Sequence, residues 1–239
     1  MTTSIGLLKH GTTLAILIIF NAFALIMTSV SQISLADNIN TTVYSVDSKP
    51  YGMAYTTWID KWWQWLVSIP QSSNPANDAT GKNCGLGQNG RVWFLAGTNG
   101  GSAERTCVIP AGKAILFPVI NSECDFISMP NIKTDTGLVA CATATDTVSN
   151  MQTTVDGLNL QQLEKYRVTS QPFTVTFASN NVFGYKPGTT SMASDGFWVF
   201  LQPLVIGKHE VHFSGLSAGN PTTGTQNFAT DATYHIIVR

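Results

Sequence analysis

Residues 55–70 constrain the fold more than any other stretch, because they hold four of the chain's six tryptophans. Pro70 ends the stretch, since proline lacks an N–H and disfavours helix at the residue before it. We therefore predict a helix over about residues 53–69. It must lie on a large apolar surface, because each buried Trp covers roughly 200 Å². Its apolar residues recur at the spacing of one helical face: Trp58, Ile59, Trp62, Trp65, Leu66 and Ile69.

The rest of the chain predicts β-strands. Short apolar runs are separated by Gly- and Pro-containing turns; residues 173–177 alternate as in a half-buried strand, and Asp156-Gly157 indicates a hairpin. Strands at such short intervals predict a β-sandwich or jelly roll of antiparallel sheets. We expect one domain over residues 37–239, with the Trp-rich helix packed against the sheets, and a short helix over residues 142–151.

The N-terminus predicts export. Lys9 precedes an apolar run over residues 14–30, and Ser34-Leu35-Ala36 places small residues at positions −3 and −1 of a cleavage site. This pattern is typical of a signal peptide, here residues 1–36. The alternative is an uncleaved membrane anchor, because residues 14–30 reach the minimum of about 17 residues that can span a bilayer. We expect a secreted or cell-surface protein.

The charge pattern argues against nucleic acid as a partner. Charged residues make up 11% of the chain, and the formal net charge is −1. No basic run or patch of Arg and Lys is present in the sequence.

All four cysteines follow the predicted signal peptide: Cys84, Cys107, Cys124 and Cys141. An even number in an exported chain predicts two disulfides. Three pairings are possible, and we favour Cys84–Cys107 and Cys124–Cys141 because each closes one local loop. A zinc site is the weaker interpretation, since no Cys-x-x-Cys pair occurs.

Alternating polar side chains follow a predicted strand at Asn121, Glu123 and Asp125. In an extended chain all three point to the same side. Their oxygens would suit a calcium ion, the only cofactor that we consider, or a general acid and base. The alternative, which we favour, is turn chemistry in which Asn and Asp satisfy nearby backbone groups.

Two aromatic residues are candidates for binding sugar rings. Trp63 lies off the main apolar face of the predicted helix, and Tyr185 lies in a predicted loop. Exposed aromatic rings stack well on sugars, but large aromatic side chains are more often packed in a core. We favour core packing and keep both residues as candidates.

Several sequence motifs resemble a widespread group of exported microbial proteins with no established activity. The similar motifs span about residues 55–238 and include Trp62-Trp-Gln-Trp-Leu66 with Ser68-Ile-Pro70, Val92-Trp-Phe-Leu-Ala-Gly97, Arg105-Thr-Cys-Val-Ile-Pro-Ala-Gly-Lys113 with Phe117-Pro-Val-Ile-Asn121, and Asp195-Gly-Phe-Trp-Val-Phe-Leu-Gln-Pro-Leu204 with Gly207-Lys-His209. The resemblance implies a single exported domain and carries no catalytic residues with it.

Three functions follow from these observations. The first is a non-catalytic extracellular module that binds a carbohydrate, a surface polymer or a protein; it agrees with predicted export and with the lack of a Gly-x-Ser-x-Gly elbow. The second is a secreted hydrolase that uses Glu123 or Asp125, with calcium as an optional ion. The third is a membrane-anchored structural protein held by residues 14–30.

Overall fold

A computed structural model describes residues 42–144, 147–219 and 226–239. The predicted signal peptide and the apolar run at residues 14–30 lie outside these ranges. Within them, no helix is long and apolar enough to cross a membrane.

The described chain is mainly β, as predicted. It contains two α-helices, α1 (Tyr55–Ser68) and α2 (Asp135–Ala144). The strands are β1 (Val92–Phe94), β2 (Gly101–Ile109), β3 (Ala114–Asp125), β4 (Val148–Val155), β5 (Leu158–Asn159), β6 (Arg167–Thr169), β7 (Phe173–Phe177), β8 (Gly188–Leu201), β9 (Gly207–Ser217) and β10 (Phe228–Val238).

The strands form two five-stranded sheets. Sheet 1 has the order β1-β3-β8-β6, with β7 also paired to β8, and sheet 2 has the order β2-β10-β9-β4-β5. The prediction of purely antiparallel sheets is wrong, because β1 pairs with β3 and β2 with β10 in parallel. The reason is that consecutive strands change sheets: β1 and β3 lie in sheet 1 while β2 between them lies in sheet 2, so β1 and β3 run the same way.

One apolar cluster joins the two sheets. Phe117 of β3 stacks on Phe213 of β9 with ring centroids 4.5 Å apart, and Phe213 in turn stacks on Tyr234 of β10 at 6.1 Å. These rings belong to a single buried cluster that draws residues from both sheets.

A second apolar cluster lies between α1 and sheet 1. The predicted helix is confirmed, and Ile69, just before Pro70, already has extended backbone angles. The Trp62 ring meets Trp198 of β8 edge to face at 5.1 Å. Its indole N–H donates to the Leu95 carbonyl at 2.9 Å, so the buried ring also has a hydrogen-bond partner.

The second helix differs from its prediction. We expected a helix over residues 142–151, but α2 ends at Ala144 and β4 begins at Val148. The apolar residues that decide this are Leu138 and Ala142, four positions apart, which pack with Cys124 in a third cluster against sheet 1.

The local predictions in the middle of the chain are confirmed. Val155 pairs with Leu158 across the Asp156-Gly157 turn, and β7 covers the alternating stretch at residues 173–177. Both disulfides have the favoured pairing, Cys84–Cys107 and Cys124–Cys141.

Candidate binding cleft

A cleft of about 260 Å³ lies between α1 and sheet 1 and reaches the first residues of β10. Its aromatic wall comes from α1 and from the loop between β7 and β8, and its polar wall comes from β3. Among the described residues it is lined by Trp62, Trp63, Leu66, Ala76, Gly97, Thr98, Asn99, Pro118, Ile120, Asn121, Ser122, Glu123, Val182, Phe183, Phe228 and Thr230.

The polar wall is set by the register of β3 against β8. Asn121 pairs with Gly196 and Glu123 with Ser194, so both side chains lie on one face of the strand. Asp125 continues the same row opposite Met192, which packs in the α1 cluster.

Gly196 makes room for Asn121. A β-carbon at Gly196 would lie 2.6 Å from the Asn121 Cβ and 2.7 Å from the Ile120 carbonyl oxygen. Such distances are far below van der Waals contact, so a larger residue would push β3 and β8 apart at the cleft.

Glu123 and Asn121 each carry a buried polar atom without a partner. Neither the Glu123 Oε2 nor the Asn121 Nδ2 has a hydrogen bond to any described residue. Burial and, to a smaller extent, the nearby Asp125 carboxylate together raise the pKa of Glu123 from 4.5 to about 8. The Glu123 carboxyl is therefore largely protonated at neutral pH and can act as a hydrogen-bond donor.

Asp125 is committed to a turn. Its Oδ1 accepts hydrogen bonds from the backbone N–H groups of Ile127 at 2.6 Å and Ser128 at 3.1 Å, and its Oδ2 accepts one from the Ser128 hydroxyl. The side chain is fully buried. Asp125 thus follows the turn chemistry that the sequence favoured.

The hydrogen bonds of Asp125 also affect the predicted calcium site. They occupy both Asp125 oxygens, and the raised pKa of Glu123 keeps that carboxyl from being the anion that calcium prefers. No group of three His, Cys, Asp or Glu side chains among the described residues is arranged to hold a metal ion. Calcium binding by Asn121, Glu123 and Asp125 stays a prediction.

Trp63 is packed in the core, which is the interpretation that we favoured for it. Only 3% of its surface is accessible, and its indole N–H donates to the Ser194 hydroxyl at 2.8 Å. It is buried although it lies off the main apolar face, because α1 is covered on a second side, where the Val67 carbonyl accepts a hydrogen bond from the backbone N–H of Ala178. Trp63 nevertheless lines the cleft, next to Phe183.

Tyr185 lies behind the cleft, not in it. Its ring contacts Phe183 at 5.3 Å and Phe177 at 5.5 Å, and the side chain is half-buried. Burial raises the pKa of Tyr185 to about 12, with further contributions from Glu123 and Asp125. The fold therefore brings both aromatic candidates close to Glu123 and Asp125, but of the two aromatic residues Trp63 borders the cavity and Tyr185 does not.

Asn181 positions the loop between β7 and β8, which carries Phe183. Its Nδ2 donates to the carbonyls of Ala178 at 3.1 Å and Tyr185 at 2.7 Å. Its Oδ1 accepts from the backbone N–H groups of Phe183 at 3.2 Å and Tyr185 at 3.1 Å. The Asn180-Asn181 pair was the available signal, because buried Asn side chains commonly replace backbone partners in turns.

The three histidines of the described chain lie outside the cleft, on sheet 2. Each has a carboxylate partner. The pairs are His209 with Asp156 at 2.8 Å, His212 with Asp231 at 3.2 Å and His235 with Glu104 at 2.7 Å.

Comparisons of the chain with protein-family models, with curated proteins and with solved structures found no match. The resemblance to exported microbial proteins stays a prediction. The function is therefore inferred from the geometry of the cleft.

Proposed function

We propose that the protein is an exported, non-catalytic binding module, built as a β-sandwich with one Trp-rich helix on its outer face. Its cleft takes a small, neutral, hydroxyl-rich ligand, such as one sugar unit of a carbohydrate or surface polymer. The two disulfides support export, because such bonds persist in oxidising compartments.

One observation carries the proposal: two unpartnered polar atoms, the Asn121 Nδ2 and the Glu123 Oε2, belong to side chains that line an aromatic cleft. Each costs about 1–3 kcal/mol while it has no partner. A ligand hydroxyl that bonds to them removes this cost, and the rings of Trp63 and Phe183 offer the apolar contact that a sugar face requires.

The absence of charge in the lining selects the ligand class. Glu123 is the single titratable side chain among the described residues that line the cleft, and its raised pKa keeps it largely neutral at pH 7. An ionic ligand would meet no opposite charge there and would lose its hydration. The cavity volume lies just below the range of about 300–1,000 Å³ for drug-sized ligands, which suits a single ring. A protein ligand would have to insert a side chain.

The test is thermal unfolding of the protein with a panel of neutral and acidic sugars, in the presence and absence of a chelator. A ligand at 100 times its Kd stabilises the folded state by about 2.7 kcal/mol, which raises the Tm by several degrees. We expect a rise with a neutral sugar that is lost in Asn121→Ala and reduced in Glu123→Gln. The exposed Glu164→Gln is the matched control and should respond like the parent protein.

Two outcomes would contradict the proposal. One is a panel that leaves the Tm of the parent protein unchanged. The other is a sugar response that Asn121→Ala and Glu123→Gln retain in full, because the ligand would then bind elsewhere. A rise that requires calcium and disappears with the chelator would instead support the calcium hypothesis.

A secreted hydrolase is the second candidate, and the raised pKa of Glu123 favours it, since a carboxylic acid that is protonated near pH 7 suits general acid catalysis. Against it, Asp125 is buried and bonded within its turn, so no second free carboxylate borders the cleft among the described residues. Turnover of a glycan or ester panel that Glu123→Gln abolishes and Glu164→Gln retains would favour the hydrolase.

The third candidate, a membrane-anchored structural protein, depends on residues 14–30 remaining in the mature chain. An intact mass that lacks residues 1–36 would exclude this anchor.

A further inference from the structure

Both sheets end together at one end of the described domain. β2 ends at Ile109 and β3 begins at Ala114, while β8 ends at Leu201 and β9 begins at Gly207. These two short connections, 110–113 and 202–206, join sheet 1 to sheet 2 and therefore lie side by side. We call this the loop end; the cleft occupies the opposite half of the same strands, around Glu123 and Thr230.

The loop end carries two adjacent aliphatic side chains in water. Val205 and Ile206 are each 74% exposed, whereas the next most exposed large hydrophobic residue of the described chain, Leu86, is 42% exposed. The backbone under them is fixed, because the Val205 carbonyl lies 2.9 Å from the His209 Nε2. The free energy of two apolar side chains exposed to water at a loop tip falls when an apolar medium covers them.

Basic residues also lie at the loop end. Lys208 follows it directly, and Lys113 lies in the neighbouring connection. Hydrogen bonds bring two more basic residues to the same end: the Ala111 N–H donates to the Arg239 carbonyl at 2.9 Å, and the Ala114 N–H donates to the Arg91 carbonyl at 3.1 Å. Carboxylates also lie near this end: Asp156, which pairs with His209, and Glu210, which is two residues after Lys208 and 3.6 Å from the His235 Nδ1.

The chain also enters the domain at the loop end. The Gln202 N–H donates to the Thr42 carbonyl at 2.6 Å, and Val43 forms a β-bridge with Leu201. The segment that leads to Thr42 contains the apolar run at residues 14–30. The described chain therefore begins at the loop end, after this apolar run in sequence.

We propose that the loop end docks on an anionic lipid surface, with Val205 and Ile206 in the interfacial layer and its basic residues against the headgroups. Aliphatic side chains beside Lys and Arg form the usual chemistry of membrane-surface attachment. The arrangement is a protruding tip, which suits insertion into lipid. Docking in this orientation turns the cleft away from the membrane. Membrane docking does not depend on which ligand the cleft binds.

The experiment places one fluorescent reporter at the loop tip of the full chain. All four cysteines are in disulfides, so a new cysteine is the single free thiol. Ile206→Cys is labelled with an environment-sensitive dye, and Met129→Cys, 40% exposed beyond the far end of β3, is the matched control. Both are mixed with vesicles of phosphatidylcholine, with or without phosphatidylglycerol.

We expect the dye at position 206 to shift to the blue with phosphatidylglycerol vesicles and the dye at position 129 to stay as in water. Lys208→Gln in the Ile206→Cys background should weaken partitioning about fivefold, since each cation near an anionic surface contributes about that factor. Lys133→Gln, an exposed lysine away from the loop end, should leave it unchanged.

Three results would overturn the proposal: a dye at position 206 that stays in water, equal shifts at positions 206 and 129, or equal partitioning onto neutral and anionic vesicles. Attachment through residues 14–30 alone gives the first of these results, so the experiment separates an anchored chain from a docked loop end.

Discussion

Arg105 of β2 and Glu123 of β3 are both ionisable and largely shielded from water, yet their surroundings are opposite. Among the described residues Arg105 has no carboxylate partner, but its guanidinium is bonded on every nitrogen: Nε to the Asp78 carbonyl at 2.6 Å, Nη2 to the Ala76 carbonyl at 3.2 Å, and Nη1 to the Tyr234 hydroxyl at 2.7 Å. The Glu123 Oε2 has no partner.

The difference separates a structural group from a candidate functional group. Arg105 fastens the loop that follows α1 to sheet 2, and its cost of burial is offset by its bonds. The free-energy cost of burying Glu123 is not offset in this way, and its side chain lines a cavity. Each residue also lies in a strand that carries a disulfide, Cys107 for β2 and Cys124 for β3, so the two regions can be perturbed separately.

The largest effect is expected from Arg105→Met. The substitution leaves buried carbonyl groups without donors, at about 1–3 kcal/mol each, so we expect the free energy of unfolding to fall by about 3–5 kcal/mol. Urea unfolding measures this loss. Arg91→Met is the control, because Arg91 is exposed and its cation lies over the Tyr51 ring, and it should cost less than about 1 kcal/mol. A loss for Arg105→Met no larger than for Arg91→Met would show that the bonded guanidinium is not structural.

Removing either disulfide should lower the free energy of unfolding by a similar amount, but the two removals should differ in their effect on the cleft. Their sequence separations are 23 and 17 residues, so removal of either costs about 3 kcal/mol in the chain-entropy model. Only Cys124→Ala with Cys141→Ala releases α2 from the back of β3, next to Glu123. We therefore expect that pair of changes, and not Cys84→Ala with Cys107→Ala, to alter the sugar response. Equal effects of both pairs would mean that the cleft depends on global stability alone.

The fold was predictable where the signal was local. The spacing of the tryptophans and Pro70 predicted α1, Asp156-Gly157 predicted a hairpin, and the loop lengths predicted both disulfides. Strand direction was not predictable, because β2 meets β10 across more than a hundred residues of sequence and no local pattern encodes that pairing. The position of α2 was missed for the same reason, since Leu138 and Ala142 are apolar on account of a surface that β3 and β8 supply.

The candidate site was predictable in its parts and not in its assembly. Alternation placed Asn121, Glu123 and Asp125 in a row, but the sequence could not show that Asp125 would be used by its own turn while Glu123 would not. The burial of Trp63 depends on how the chain around Ala178 crosses α1, a contact between elements far apart in sequence. Packing between elements that are distant in sequence therefore determined which polar side chains were left without a hydrogen-bond partner.

The pH dependence of stability tests Glu123 directly. Because its pKa is about 8 when folded and 4.5 when unfolded, the unfolded chain has lost this proton between these values while the folded chain keeps it. The free energy of unfolding therefore falls as the pH rises from 4.5 to about 8, by about 2 kcal/mol for a carboxyl at the edge of a cleft, and it is constant beyond that range. Below pH 4.5 both states hold the proton and Glu123 contributes nothing.

Glu123→Gln should remove this fall and make the protein more stable than its parent above pH 8. Urea unfolding at a series of pH values provides the measurement, with the exposed Glu164→Gln as the matched control. If the parent and Glu123→Gln share one pH profile, the carboxyl is not held neutral by the fold. Both the neutral ligand and the general acid proposed for the cleft would then lose their support.

The smallest effect concerns Asp60, a second carboxyl with an unpartnered buried oxygen, Oδ1, but one that does not line the cleft. Burial raises its pKa from 3.8 to about 7, so its cost develops as the pH rises between these values. Because the residue is only half-buried, we expect Asp60→Asn to stabilise the protein by about 1 kcal/mol above pH 7. Asp60→Asn should leave the sugar response intact, whereas Glu123→Gln should reduce it. If Asp60→Asn and Glu123→Gln weakened sugar binding alike, a carboxyl without a hydrogen-bond partner would not identify a binding group. The comparison between Arg105 and Glu123 would then say nothing about ligand binding.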